Sequence, residues 1–295
     1  MPILMLIWII IFIAVEAVLF LAYYIYKEST DFRITTYRLD TKKKLPRDLN
    51  IVMLTDLHDT KHGEGNSKLL AAIDEIKPDF VLCAGDMITS YMQPKYNSDN
   101  TFEFLKKLSD KYKVVYGLGN HEQRYLSEPE KFKGKFEELN AFVKSLGIDF
   151  LNNEYVHLDE FNCTIYGLNI PIENYARVVT KPLADNYAGV IFDKADEGAY
   201  NIMLAHTPDY FDNYCEFKPD LICSGHVHGG IVGVPYFGGL LSPQLKLFPK
   251  YDAGLFKKDD TTMVLGRGIG WHTIPVRINN KAEVIRIVIN SNKME

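Results

Sequence analysis

Cysteine is scarce in this chain and never spaced as thiol-based sites require. There are four, Cys83, Cys163, Cys215 and Cys223, and no CxxC pair. That excludes a disulfide-stapled fold and a thiolate zinc site. Cys83 ("FVLCAGD") and Cys223 ("DLICSGH") close apolar runs and read as small buried hydrophobes. An excess of positive charge is also missing. Lys and Arg number 33 against 38 Asp and Glu, for a formal net charge of −5. No basic face of the nucleic-acid-binding kind is expected. Phosphate substrates stay open, because bound cations can invert the local sign. Solenoid repeats and low-complexity tracts are lacking too. With 295 residues, 47% of them hydrophobic, the chain can bury a full core without staples.

One long apolar run exists, at the start. Residues 3–26, "ILMLIWIIIFIAVEAVLFLAYYIY", hold a single charge, Glu16. At about 1.5 Å per residue this is roughly 36 Å of helix, enough to cross a bilayer. It ends on Tyr23, Tyr24 and Tyr26, as an interfacial aromatic belt does. A basic leader and a small-residue cleavage site are absent, which favours a retained anchor over a removed signal peptide. No Lys or Arg precedes the run, whereas Lys27, Arg33, Arg38, Lys42, Lys43 and Lys44 follow it. The positive-inside rule then expects a single-pass cell-membrane protein with its C-terminal domain facing the cytoplasm. The expected organisation is a transmembrane anchor over 1–26, a juxtamembrane linker over 27–49 with an edge strand at "FRITTYRL", and one domain over 50–295.

From Ile51 onward strands alternate with helices. "IVMLTD", "DFVLCAGD" and "KVVYGLGNHE" read as buried strands. "NSKLLAAIDEIK", opened by Asn66 or Ser67, "NTFEFLKKLSDK", opened by Asn100 or Thr101, and "EKFKGKFEELNAFVKSLG", closed by Gly147, read as amphipathic helices. Helices of this length between strands imply right-handed crossovers and a largely parallel sheet. The second half is richer in strand, with "YVHL", "CTIYGLN", "NIMLAHTP", "DLICSGH", "TTMVLGRG" and "KAEVIRIVI", and one helix at "ADNYAGVIFDKA". The expected fold class is α/β, with two sheets layered together and flanked by helices.

Polar residues punctuate the ends of these strands. Asp56 and His58 follow the first, Asp86 the second, and Asn120, His121 and Glu122 the third. "IMLAHTP" delivers His206, and "LICSGHVHGG" delivers His226 and His228. In open α/β sheets ligands bind beyond the carboxyl ends of the strands, so these side chains would gather on one edge. Singly, each has a structural reading: a surface turn for Asp56 and His58, a turn residue for Asp86, a core imidazole for His121. The joint pattern is what points to chemistry. Two carboxylates, an amide oxygen and several imidazoles suit Mn, Fe, Zn, Ni or Co better than Ca or Mg alone. Seven such ligands exceed one tetrahedral ion, and two ions sharing a carboxylate would use them all. Two metals about 3.5–4 Å apart are the clamp used in phosphoester hydrolysis. In extended backbone His226 and His228 would project to one side and address two adjacent ions. Gly229 and Gly230 would permit a turn and a close approach. His157 and His272 read as structural, and His62 as a solvated loop residue.

The ordered set "DLHD", "GD", "GNHE", His206 before "TPD", and "GHVHGG" resembles the calcineurin-like metallophosphoesterase superfamily over roughly residues 50–290. "GHVHGG…VPYFGG" and "GRGIG…IPVRI" resemble its membrane-associated branch, which includes UDP-2,3-diacylglucosamine hydrolase-type phosphoesterases. The resemblance implies a calcineurin-like layered β-sandwich and two divalent metal ions, with Mn favoured. It implies Asp56, His58 and His228 on one metal, Asn120, His206 and His226 on the other, and Asp86 bridging. It implies His121 as general acid or charge stabiliser, with Glu122, in place of the more usual Asp, orienting it. The expected partners are a membrane and a phosphoester substrate, with a lipid-linked one leading and nucleic acid excluded. The same chemistry on soluble nucleotides or phosphoproteins, and a non-catalytic metal-binding scaffold, are the alternatives. The stretch 231–249 with Tyr91, Tyr175 and Trp271 is expected to line a pocket or face lipid.

Overall fold

The apolar run folds as one helix, α1 (Pro2–Thr30). An 18-residue stretch of it has a mean hydropathy of 3.0 and no residue buried against the rest of the molecule, whereas Ser29 near its end is buried. The computed structural model describes residues 2–90, 98–176, 181–230, 232–234, 238–240, 247–271 and 276–291. The first half of the domain runs β1 (Phe32–Thr41), β2 (Leu49–Leu54), α2 (Ser67–Ile76), β3 (Phe80–Cys83), α3 (Asp99–Ser109), β4 (Lys113–Gly117), α4 (Asn120–Ser127), α5 (Lys135–Ser145) and β5 (Asp149–Leu151). The second half runs β6 (Glu154–Leu158), β7 (Cys163–Leu168), α6 (Tyr187–Phe192), β8 (Tyr200–Ala205), α7 (Phe211–Tyr214) and β9 (Leu221–Ser224). It closes with β10 (Gly233–Val234), β11 (Gly238–Gly239), β12 (Gly254–Lys258), β13 (Thr261–Leu265) and β14 (Ala282–Ser291).

Two six-stranded sheets result, ordered β1-β14-β2-β3-β4-β5 and β12-β13-β9-β8-β7-β6. Strands β2 to β5 are parallel, as are β7, β8, β9 and β13. The antiparallel pairings are β14 with β2, β12 with β13 and β6 with β7. The parallel strands are apolar on both faces because both faces are covered. Ile51, Met53, Leu82 and Ile287 of the first sheet meet Ile165, Ile202, Leu204 and Cys223 of the second. Helices α2, α3 and α5 cover the outer face of the first sheet, with Val52, Val81, Leu69, Phe104 and Leu139 in that layer. Helices α6 and α7 cover the second, around Met203, Phe211 and Tyr214. The arrangement is the layered α/β sandwich expected from the sequence.

Several local expectations shift. The stretch read as a linker holds the last turn of α1 and the edge strand β1, which pairs in parallel with β14. The third strand stops at Gly117, and "NHEQRYLS" forms α4, because Glu122 caps that helix through the Gly119 amide. The helix expected over 130–147 starts only at Lys135, after Gly134 in a left-handed conformation. Asn66 precedes α2 but does not cap it. Its backbone is left-handed, and its side-chain oxygen accepts the His62 amide instead.

Strand β14 lies between β1 and β2, and its Ile285, Ile287 and Ile289 fill the layer between the sheets and are essentially inaccessible. Replacing Ile287 with Ala is expected to cost about 2–5 kcal/mol, read as a lowered urea midpoint of the detergent-solubilised chain. A midpoint within error of wild type contradicts this placement of the core.

Candidate metal centre

Five strand ends deliver the candidate residues to one edge. Strands β2, β3 and β4 of the first sheet lead to Asp56 and His58, Asp86, and Asn120 with His121. Strands β8 and β9 of the second lead to His206 and to His226 with His228. All are buried, none more than 8% exposed. The two sheets meet here: the His226 amide donates to the Asp56 carboxylate oxygens at 3.1 and 3.0 Å, and His206 Nδ1 lies 2.8 Å from Ala84 O.

The metal-ligating atoms fall into overlapping groups, each spanning no more than 4.8 Å: Asp56, His58 and His228; Asp86, His206 and His226; and His58, Asp86 and His121. His58 Nε2 and His228 Nε2 lie 3.1 Å apart on stacked rings. Asp56 Oδ1 is 3.2 Å from His228 Nε2 and 3.7 Å from His206 Nε2. Asp86 Oδ2 reaches both sides, at 3.1 Å from His206 Nε2 and 3.8 Å from His58 Nε2. His226 and His228 thus join different groups, as the spacing suggested, but not through extended backbone. Both are left-handed, at φ 71° and 53°, and buried Val227 turns between them.

Left-handed backbone recurs at Asp56, Asp86 and His58, with φ of 53°, 53° and 48°. Such conformations are uncommon outside glycine, and they cluster at functional sites. Glycine enters where the carboxylates need bare backbone beside them. A Cβ on Gly225 would stand 2.0 Å from Thr55 Oγ1 and 2.2 Å from Asp56 Oδ2. At Gly229 (φ 67°) it would stand 2.5 Å from Asn280 Oδ1.

The donor set fits divalent cations. Asn120 Oδ1 is buried with no hydrogen-bond partner among the described residues, which is costly unless something else satisfies it. His206 Nδ1 lies 2.8 Å from Ala84 O, an acceptor only, so Nδ1 carries the proton and Nε2 is turned to the carboxylates. That Nε2 is 3.1 Å from Asp86 Oδ2 but off the hydrogen-bond line, and no other described residue satisfies it. Burial opposes ionisation of Asp56, yet the His228 and His206 imidazoles hold its pKa below the usual carboxylate range. Asp86 is held down in the same way, against burial, chiefly by His206 and His121. Burial, reinforced by His121, pushes His58 down to about 3, leaving a neutral ligand. His206 goes the other way: against burial, Asp86 and Asp56 raise it to about 10.

Glu122 departs from the role expected of it. Its Oε2 accepts the amides of Asp86 and Gly119, both at 2.9 Å. Its Oε1 accepts the Met87 and Ile88 amides at 2.9 and 3.3 Å and the Tyr116 hydroxyl at 2.6 Å. The carboxylate therefore fixes the loop that carries Asp86 and not the His121 ring. Burial and the Asp86 charge push its pKa up to about 7. His121 Nδ1 instead accepts the Ser90 amide at 2.8 Å, with Ser90 Oγ at 3.0 Å. Neutral His121 then carries its proton on Nε2, where Arg124 Nη1 lies 3.5 Å away.

Other expectations resolve unevenly. His62 is not solvated: it is buried, edge-on to Phe32 at 5.2 Å, with Nε2 2.9 Å from Ile269 O. Tyr175 is buried and packs its ring edge-on to His226 at 5.2 Å. Trp271 is partly exposed and donates its indole N–H to Ser29 O at the end of α1. Tyr91, Lys246 and His272 lie outside the described residues, as does most of 231–249. Ser90 and Arg124 escape a sequence reading because no motif marks either one.

A family profile for calcineurin-like phosphoesterases matches residues 49–230, which contain every candidate ligand. The chain belongs to the calcineurin-like phosphoesterase family. It is 28% identical over 247 residues to an uncharacterized metallophosphoesterase of Helicobacter pylori, covering 82% of this chain and 60% of that protein. It is 28% identical over 267 residues to a transmembrane protein with metallophosphoesterase domain of Danio rerio, covering 84% of this chain and 55% of the relative. The chain thus spans under two thirds of these relatives' length. Among solved structures it is similar to a 5'-nucleotidase precursor of Thermus thermophilus, at TM-score 0.47 and 14% identity, over 83% of this chain and 54% of that one.

Because the folded pKa of His206 lies above its ordinary value of 6.5, its proton stabilises the cation-free fold fully below that pH. The contribution fades as pH rises towards 10. A bound cation displaces that proton. Mn²⁺ binding at pH 7.5 is expected to release about one proton, read from calorimetric heats across buffers of different ionisation enthalpy. Proton release near zero contradicts this account of His206.

Proposed function

We propose that the chain is a membrane-anchored, two-metal phosphoesterase that hydrolyses a phosphoester or pyrophosphate bond of a lipid-linked or nucleotide-lipid substrate, resembling UDP-2,3-diacylglucosamine hydrolases. The observation that carries this is the convergence of Asp56, His58, Asp86, His206, His226 and His228 from both sheets, with Asn120 Oδ1, buried just past β4, and His206 Nε2 left unpartnered among the described residues. Asp56, His58 and His228 would hold one ion, Asn120, His206 and His226 the other, with Asp86 shared. Manganese is the favoured metal. When bound, such ions act as Lewis acids, lower the pKa of water and brace the oxygens of an in-line displacement.

The chain's own residues account for the rest. The Ser90 amide at His121 Nδ1 keeps the ring neutral with its proton on Nε2, so the ring can donate a hydrogen bond to a developing negative oxygen, the charge-stabilising one of the two roles expected of it. Arg124 adds a fixed positive charge beside that nitrogen. Glu122 holds the Asp86 loop by three backbone amides, and Gly119 by a fourth, so the shared carboxylate is oriented before any ligand arrives. Support for a membrane substrate is the anchor: α1 is long and apolar enough to span a bilayer and ends beside Trp271, close to the loop that carries Asp56. The basic residues after α1 favour a cytoplasmic domain. The proposed division is an anchor over 1–26, a juxtamembrane segment over 27–49 and the phosphoesterase domain over 50–295.

Asp86→Ala is expected to lose bound metal and nearly all hydrolysis of bis-p-nitrophenyl phosphate. His121→Ala is expected to keep two ions and lose about 10²–10⁴ in kcat. Full activity in His121→Ala rejects a charge-stabilising role for His121, and an inactive, metal-loaded wild type rejects catalysis altogether. Detergent-solubilised enzyme on nucleotide-lipid and glycerophospholipid panels, against soluble nucleotides, decides the substrate class.

A further inference from the structure

The end of α1 is bonded into the back of the candidate metal centre. Glu28 Oε2 accepts the Asn280 amide at 3.1 Å, and Ser29 Oγ accepts the Arg277 amide at 3.0 Å. Asp31 pairs with Lys281 at 2.7 Å. From there two short paths run inward. Asn280 Nδ2 donates to His228 O at 2.7 Å and also to Gly230 O, while its Oδ1 accepts from Arg267 Nη1 at 2.9 Å. The buried Arg277 guanidinium donates to Gly270 O at 2.7 Å and Arg267 O at 2.8 Å. The Gly270 amide in turn donates to Asp56 O at 2.7 Å. Gly268 packs closely between the two ligands: a Cβ there would stand 2.8 Å from Asp56 Cβ and 3.1 Å from His228 Nδ1.

These paths reach Asp56 and His228 directly, and meet the other donor group only at the His226 main chain, whose amide donates to the Asp56 carboxylate at 3.1 and 3.0 Å. Asp86 is fixed by the amides that share Glu122, and His206 by Ala84 O. Neither of those anchoring bonds involves α1. The backbone groups at stake are buried polar atoms, and Asn280 bonds two carbonyls on the histidine turn. Residues of this kind orient ligands without touching the metal, and their loss typically costs 10–100-fold in metal affinity.

We propose that Asn280 and Glu28 are positioning residues for Asp56 and His228, so that the last turn of the anchor helix sets the affinity of one of two metal positions and leaves the other unaffected. The inference rests on the phosphoesterase reading. It makes α1 a structural member of the site as well as a tether.

The test titrates Mn²⁺ into the full-length chain in detergent and reads stoichiometry and both affinities by calorimetry. Asn280→Ala is expected to weaken one ion by about 10–100-fold and to leave the other unchanged. Glu28→Ala shifts the same ion in the same direction, and Glu28→Gln, which keeps an acceptor oxygen, restores it. A merely structural role lowers the unfolding midpoint and moves both affinities together or neither, and either pattern overturns the inference. Should Asn280→Ala fail to fold, the Glu28 pair decides alone. A wild type that binds no Mn²⁺ overturns the phosphoesterase reading, and this inference with it.

Discussion

Two carboxylates buried side by side, Asp56 and Asp86, set the demand that the rest of the centre answers. Neither is more than 2% exposed. In a low-dielectric interior a buried anion needs compensating positive charge or protonation, and a like charge nearby sharpens the need. The fold meets it with imidazoles brought from both sheets. Without a cation the answer is incomplete: His206 must take a proton, His58 stays neutral, and Asn120 Oδ1 meets no described group that bonds it. A bound dication would take the place of the His206 proton and satisfy Asn120 Oδ1, and His58 would meet it in the neutral form it already has.

Holding that convergence has a structural cost. Five of the seven candidate ligands lie in left-handed backbone, a conformation worth about 1–3 kcal/mol of strain for ordinary residues. Asp and His bear it better than most. Local hydrogen bonds offset it, notably the Asp56 and His58 amides bonded across to the Asp86 segment. Tyr116 and four backbone amides do the same for Glu122, fixing the loop from behind. The parallel strands beneath are apolar on both faces, so the strand ends are set by a rigid core.

Much of this is legible in the sequence. Apolar runs punctuated by Asp, Asn and His mark the strand ends, and parallel topology then dictates a shared edge. The donor atoms of His226 and His228 fall in different groups, through left-handed turns that a period-two argument does not foresee. What sequence does not show is long-range and backbone-mediated. Glu122 follows His121 directly, yet helix geometry turns it away towards amides 34–36 residues earlier. The partner that sets the His121 tautomer is the Ser90 main chain, which no side-chain pattern encodes. His62 reads as solvated beside glycine, but it is buried, with its ring against Phe32 at the start of β1. Asn280 and Glu28 are 252 residues apart and unremarkable in type, so only the folded chain joins them.

The central claim is that seven side chains bind two neighbouring cations. Electron paramagnetic resonance on the purified full-length chain loaded with Mn²⁺ addresses it most directly. The account predicts the exchange-coupled spectrum of two manganese ions a few ångströms apart. The six-line signal of a single isolated ion at saturating metal, or no bound manganese at all, contradicts it.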